Sequence, residues 1–147
     1  MASRGGILGD RTIAALSRFH RWVLGVTRGR VGWRIGGMPT VRLHTTGRHS
    51  GQPRTTMLSA PIVEADRVVL VASKGGSDRH PAWYLNLVAS PEAVLDLREG
   101  TRAVRARTAS PAEKAVLWPR IVTAYAGYAR YQRRTRRDIP VVICESR

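Results

Sequence analysis

From Thr40 onward the chain is written with a period of two. Thr-Val-Arg-Leu-His-Thr-Thr over residues 40–46 sets Val41 and Leu43 between polar neighbours. Alternation of this kind means a strand, because successive side chains leave a strand on opposite faces. Residues 54–73 read as two more strands, joined by a tight turn at Glu64, Ala65 and Asp66. Pro61 marks an edge or a bulge in the first of these. Residues 92–109 form a second hairpin turning at Glu99 and Gly100, with Arg102, Arg105 and Arg107 set among alanine and valine. Residues 139–145 close the chain as a buried strand.

Helices occupy the gaps. Residues 81–90 read as a short helix with Pro81 at its start, where a missing N–H costs nothing. Ser110, Pro111 and Glu113 form a capping-box start. That helix should kink or restart at Pro119 and continue through three tyrosines to about Gln132. Residues 133–138, with four arginines, read as a solvated charged stretch. About six strands, mostly hairpin-connected, with three or four helices and no βαβ series, predict an α+β arrangement: an antiparallel sheet or small barrel with peripheral helices. Neither internal repeats nor a second folded domain is visible.

The N-terminal part is different in kind. Over residues 10–28, a helical winding puts Ile13, Leu16, Phe19, Val23, Leu24 and Val26 on one side. Arg11, Arg18, Arg21 and Arg28 fall opposite, with Trp22 at the border. Such a basic amphipathic helix either packs on the domain or lies on anionic lipid. Residues 29–37 are glycine-rich and read as a linker, so the organisation is 1–37 followed by a 38–147 domain.

The charge narrows the choice of partner. The formal net charge is +15, from 25 basic and 10 acidic residues, and Lys74 and Lys114 are the only lysines. A GC-rich genome accounts for scattered arginines but not for clustered ones. The partner is therefore anionic: nucleic acid, lipid or a polyanionic small molecule. Cys144 is the sole cysteine, which excludes an intrachain disulfide and any multi-cysteine metal site. No stretch reaches the roughly 18–20 apolar residues of a spanning helix. No signal sequence is visible, so a reducing cytosol is expected.

Two turns concentrate the charge. In Thr-Gly-Arg-His-Ser-Gly-Gln-Pro-Arg (46–54), Gly47 and Gly51 permit tight or left-handed backbone, which turns amides towards one concavity. Arg48 and Arg54 can close on an oxyanion with paired hydrogen bonds, and His49, Ser50 and Thr55 add donors. No Gly-Lys-Ser/Thr follows, so this is not a Walker loop, and an ordinary glycine hairpin is the competing reading. The second turn places Ser73, Lys74, Gly75 and Gly76 directly after a strand. A solvated turn lysine is its plain alternative. Tyr125, Tyr128 and Tyr131 recur every three residues on one helix face. They pack as core, or they offer hydroxyls to a carbonyl oxygen on which negative charge builds. Trp83 and Tyr84 add flat surface for a planar ring. His20, His44, His49 and His80 lack metal-ligand spacing, and no nucleophile elbow is present. A catalytic chain of this composition would draw its reactivity from a bound cofactor and itself supply orientation.

Four segments together, 43–56, 71–92, 118–135 and 139–145, resemble the deazaflavin (coenzyme F420)-dependent nitroreductase family, and the likeness spans roughly residues 38–145. The resemblance implies a split β-barrel related to flavin-binding pyridoxamine-phosphate oxidases, and coenzyme F420 as cofactor, with no metal. The tail of F420 is a phosphate followed by carboxylates, a fit for a cationic turn. By matching position, Arg48, His49, Ser50 and Arg54 would hold the phosphate and tail. Thr55, Thr56, Met57, Leu58 and Ser59 would line the cofactor strand, and Ala72, Ser73, Lys74, Gly75 and Gly76 would form the second cofactor loop. Trp83, Tyr84, Asn86 and Leu87 would lie beside the ring system. Ser73, Tyr125, Tyr128 and Tyr131 would be the catalytic side chains facing the acceptor. The family commonly has lysine where this chain has His49, which weakens tail binding near neutral pH, and an aromatic near Ser59, which widens the pocket here.

The resemblance also implies hydride transfer from reduced F420 to a quinone, menaquinone being the family's pattern, with reduction of nitroaromatics such as nitroimidazoles as a side activity. It implies a cytoplasmic enzyme held on the inner face of the membrane through the basic N-terminal helix, and leaves a homodimer open. Two other classes stay in play. One is a nucleic-acid-binding protein, suggested by charge but lacking a helix-turn-helix, zinc finger or RNA-binding signature. The other is a module that binds F420 or FMN without turnover.

Overall fold

The computed structural model describes residues 34–35 and 37–147; the helix expected over 10–28 lies outside the described residues. The strands are β1 (Arg34–Ile35), β2 (Met38–Thr46), β3 (Pro53–Ser59), β4 (Ile62–Val63), β5 (Arg67–Val71), β6 (Glu92–Leu97), β7 (Gly100–Thr108) and β8 (Val141–Ser146). The helices are a one-turn 3-10 segment (Lys74–Gly76), α1 (Ala82–Ala89), α2 (Pro111–Ala124) and α3 (Gly127–Arg134). The six expected strands are present, with two differences. Ala60 and Pro61 divide the second into β3 and β4, and a two-residue β1 pairs with the start of β2.

Every pairing is antiparallel, in the order β3-β2-β6-β7-β8-β5-β4. β3 and β4 stand at opposite ends of that order, yet only Ala60 and Pro61 separate them in sequence. Three Cα steps reach at most about 11 Å. Seven strands laid flat would hold the two ends about 29 Å apart. The sheet therefore curls until its edges nearly meet, a barrel split between β3 and β4. The Ala60 N–H donates to the Pro39 carbonyl at 2.8 Å and fixes that corner.

Curling divides the apolar side chains into two cores. The interior is filled by Val41, Leu43, Val68, Leu70, Leu95, Val104 and Val142, with Trp83 and Leu87 of α1 closing one end. The second core lies outside the barrel wall, where Val69, Val71, Val141 and Ile143 meet Leu117 and Ile121 of α2 and Tyr128 of α3. β5 and β8 thus bury both faces, which is why they read as continuous apolar runs and not as alternation. Each fully buried Leu or Ile contributes about 1.5–3 kcal/mol from removal of its surface from water.

α2 begins as the sequence requires. The Ser110 hydroxyl accepts from the Glu113 N–H at 3.2 Å, and the Glu113 carboxylate accepts from the Ser110 N–H at 3.0 Å. It does not break at Pro119: the helix runs through to Ala124 and ends at Tyr125. Pro119 lies on the exposed side, where loss of one backbone hydrogen bond is tolerated. The charged stretch 133–138 is also not wholly solvated. Arg137 is half-buried and turned into the fold.

Candidate active site

The turn between β2 and β3 is ordered by its own residues. The Gly47 N–H donates to the Gln52 carbonyl and the Gly51 N–H to the Gly47 carbonyl, both at 2.8 Å. Gly51 takes φ 69°, the left-handed geometry anticipated for it. Gly47 is needed for space: a Cβ there would stand 2.6 Å from the Ser50 hydroxyl. That hydroxyl accepts from the Gln52 N–H at 3.1 Å and from the Arg54 guanidinium at 3.3 Å. Arg48, His49, Ser50 and Arg54 are all exposed, with no acid among residues 47–54. The turn is thus an ordered cationic rim that pairs with no acid among the described residues.

α1 ties this turn to the second one. Asn86 is buried, and its Oδ1 accepts from both the backbone N–H and the guanidinium of Arg48, at 3.1 Å each. Its amide donates to Thr45 Oγ1 at 3.4 Å. The second turn leads straight into the same helix through His80 and Pro81. The His80 ring lies 5.0 Å from that of Tyr84. Asn86 is one helical turn along α1, about 6 Å of axial rise from its start.

The second turn has an unusual backbone. Lys74, Gly75 and Gly76 take φ of 46°, 63° and 84°, three left-handed residues in succession, one of them bearing a side chain. It is seated against α3: a Cβ on Gly76 would lie 2.8 Å from the Tyr131 carbonyl oxygen and 3.0 Å from Arg134 Cβ. Arg134 donates to the Gly75 carbonyl at 3.3 Å, and the Thr135 hydroxyl to Asp78 Oδ1 at 2.8 Å. Arg137 holds it from behind, with bonds to the carbonyls of Ala72, Ser73 and Ser77 and to His80 Nδ1. Ser73 is buried and Lys74 half-buried.

The tyrosines divide by burial. Tyr128 packs in the outer core at 6% exposure, and burial raises its phenol pKa above the ordinary value. Tyr125 and Tyr131 are half-buried, with hydroxyls 3.4 Å apart. The hydrogen bond with Tyr125, then burial, raises the Tyr131 phenol above its ordinary pKa. Tyr131 also carries the Arg134 guanidinium over its ring at 5.5 Å.

Other expected contacts sit less openly. Trp83, Leu87, Met57 and Ala72 are buried, so their side chains act as floor and packing. Along β3 the five residues alternate. Thr56 and Leu58 pair with Leu43 and Val41 and share their inward face, whereas Thr55, Met57 and Ser59 share the outer face with His44 and Arg42. There His44 bridges Thr55 Oγ1 at 2.9 Å and Asp96 Oδ2 at 2.7 Å. Among the described residues β3 pairs with β2. A cavity of about 210 Å³ between α1 and β7 touches Tyr84 and Leu87 but no residue of either turn. Tyr84 closes its rim through a 2.9 Å bond to Thr108. Cys144, its thiol pushed up to about 12 by burial, is inert in the barrel interior. Among the described residues no cluster of His, Cys, Asp and Glu could hold a metal, and no helix is long and apolar enough to cross a membrane.

Asn86 of α1 thus ties to the first turn, the second turn leads into α1 and packs on α3, and Tyr131 of α3 meets Tyr125 at the end of α2. Residues 16–146 match the family described as F420H(2)-dependent quinone reductase. The chain belongs to that family. An F420H(2)-dependent quinone reductase of Mycobacterium tuberculosis is 40% identical over 136 residues, spanning 90% of this chain and 91% of the relative. A solved F420-H2 dependent reductase (FDR-A) is 38% identical with a TM-score of 0.66, covering 73% of this chain and 94% of its own. A second structure, described as a domain-swapped dimer, is 33% identical with a TM-score of 0.67 and covers 97% and 100%. A Clostridium acetobutylicum protein of the pyridoxinephosphate oxidase family shares the fold at 11% identity, with a TM-score of 0.50 and coverage of 88% and 84%.

Sequence reasoning missed Arg137, Arg134 and His80 as parts of the site, and His44 with Asp96 beside it. Arg137 is one of several arginines between Arg133 and Arg137, and nothing in the spacing distinguishes it. Its signal is topological. It precedes β8, which pairs with β5, and the second turn leaves the end of β5. The Ala72 N–H donates to the Pro140 carbonyl at 2.9 Å, which brings Arg137 under that turn.

Proposed function

We propose that this protein is an F420H2-dependent oxidoreductase that reduces a quinone. The observation that carries this reading is the tie of two cationic turns to α1, with α3, which bears Tyr131, packed against the second. The residues fit the group. A phosphate with trailing carboxylates needs guanidinium forks and convergent amides on a surface without competing acids, and residues 47–54 supply that.

When bound, the reduced deazaflavin supplies the hydride. The chain supplies the rest. Arg48 and Arg54 hold the acidic tail, with His49 and Ser50 as further donors. Lys74 and the amides around it would share the phosphate with that first turn. α1 orients the ring from its exposed side. Tyr125 and Tyr131 donate hydrogen bonds to the acceptor oxygen as negative charge develops there, a term that acts in the transition state more than in the ground state. Tyr128, buried behind them, holds the α3 face in place.

The finer reading follows the chemistry. An apolar quinone, of which menaquinone is one, dissolves in membrane, so the basic segment before residue 38 would hold the enzyme at the inner membrane face. Nitroaromatic reduction is a side activity, because a nitro oxygen accepts the same hydrogen bonds. A homodimer fits with the swapped dimer described for one relative.

The test is anaerobic. The purified protein is mixed separately with reduced F420, reduced FMN and NADPH, and menadione is added. Rapid oxidation of F420H2 alone is expected. Turnover with FMN and none with F420 would falsify the reading. Sequence-preferring DNA binding that persists at physiological salt would favour the nucleic-acid alternative.

A further inference from the structure

We propose that Arg137 is the positioning residue of the phosphate loop, setting the peptide planes of residues 72–77 so that the Ser73 and Lys74 amides face the bound anion. The proposal rests on the F420 reading above and adds a residue to it.

The guanidinium spends four hydrogen bonds on one turn. Nη1 donates to the Ala72 carbonyl and to His80 Nδ1, both at 3.1 Å; Nη2 donates to the Ser73 carbonyl at 2.8 Å and Nε to the Ser77 carbonyl at 2.7 Å. These acceptors are neutral groups. Among the described residues no carboxylate bonds it, so the positive charge behind the turn adds to the attraction for an anion in front. Asp78 is the acid near enough to act on it electrostatically.

The direction of the amides follows from covalent geometry. In a planar trans peptide, a carbonyl and the next residue's N–H point opposite ways. The Ala72 and Ser73 carbonyls turn inward to Arg137, so the N–H groups of Ser73 and Lys74 turn outward. The Ser73 carbonyl also accepts from the Gly76 N–H at 2.9 Å, using its second lone pair. Three successive left-handed residues follow, and Lys74 holds such a conformation against the cost of its Cβ. A backbone of this kind persists where its surroundings over-determine it. Arg137 restrains the turn through four hydrogen bonds, and it arrives from 57 to 65 residues away.

The experiment compares the full chain with Arg137→Ala and Arg137→Lys by fluorescence titration. The ligands are F420 and its deazaflavin riboside, which lacks phosphate and tail. The Ala variant should raise the F420 dissociation constant at least about tenfold while moving the riboside less than about twofold. Lysine keeps the charge but not the fork, and should restore only part of the affinity. Equal losses for both ligands, no loss at all, or full restoration by lysine would each overturn the proposal. A wild-type chain that binds no F420 defeats the functional reading instead. The loop is then read alone, as it is when a variant fails to fold: inorganic phosphate added to the labelled wild-type chain should shift the Ser73 and Lys74 amide resonances, and their silence overturns the proposal.

Discussion

The two turns of the site reach similar chemistry by opposite means. The turn over residues 47–54 is organised from within, by its own amides, Ser50 and a single tie to Asn86. The turn over residues 73–77 is organised from without, by Arg137, Arg134 and the α3 backbone. A locally closed hairpin tolerates change and leaves its cations exposed. An externally clamped turn holds a strained backbone, and depends on residues far along the chain.

Glycine substitution breaks the comparison most sharply. Gly76→Ala meets both a φ of 84° and a carbonyl oxygen at 2.8 Å, so it should destabilise the protein by more than about 2 kcal/mol in urea unfolding. Gly51→Ala has φ 69° but nothing within 4 Å, so its cost should be about 1 kcal/mol, with the fold intact. Similar losses for the two would mean that the second turn is not clamped.

Arginine substitution sharpens it next. Arg54 is exposed, and among the described residues its guanidinium makes one long hydrogen bond, to Ser50 at 3.3 Å. Arg54→Ala should leave stability within about 0.5 kcal/mol and weaken F420 binding about tenfold, at about 1.4 kcal/mol per decade. Tyr131→Phe should slow menadione reduction by about ten- to a hundredfold while moving the F420 dissociation constant little, read as a fall in kcat.

Acid supplies the mildest test. His80 accepts a hydrogen bond from Arg137, so it must be unprotonated there. Burial and then the Arg137 charge hold its pKa below the ordinary 6.5, and the other group packed on its ring is Tyr84. The unfolded chain takes up that proton more readily. This contribution is complete above pH about 6.5 and is lost as pH falls through the lower folded value. A His80→Asn variant should flatten that part of the urea-midpoint profile, and amides of residues 73–77 should gain exchange in acid before those of 47–52.

The same contrast explains what the sequence made legible. The hairpins, the capping box at Ser110 and the first turn are local devices, and each was readable from residues less than a dozen apart. The split of the barrel came from the family resemblance and not from any local pattern, because it depends on Ala60 and Pro61 joining opposite ends of the strand order. Trp83 packs in the interior core, and Tyr128, for which core packing was one of two readings, packs in the outer one; a helical pattern alone does not say which face meets the sheet. Arg137 was hidden among identical neighbours, and its role exists only once β8 lies beside β5.

The most direct test is a crystal structure of the protein with F420 bound. The account predicts tail oxygens within hydrogen-bonding distance of the Arg48 and Arg54 guanidinium groups, and the phosphate against the amides of Ser73 and Lys74. A tail that runs clear of both turns, with the ring seated elsewhere, would contradict it.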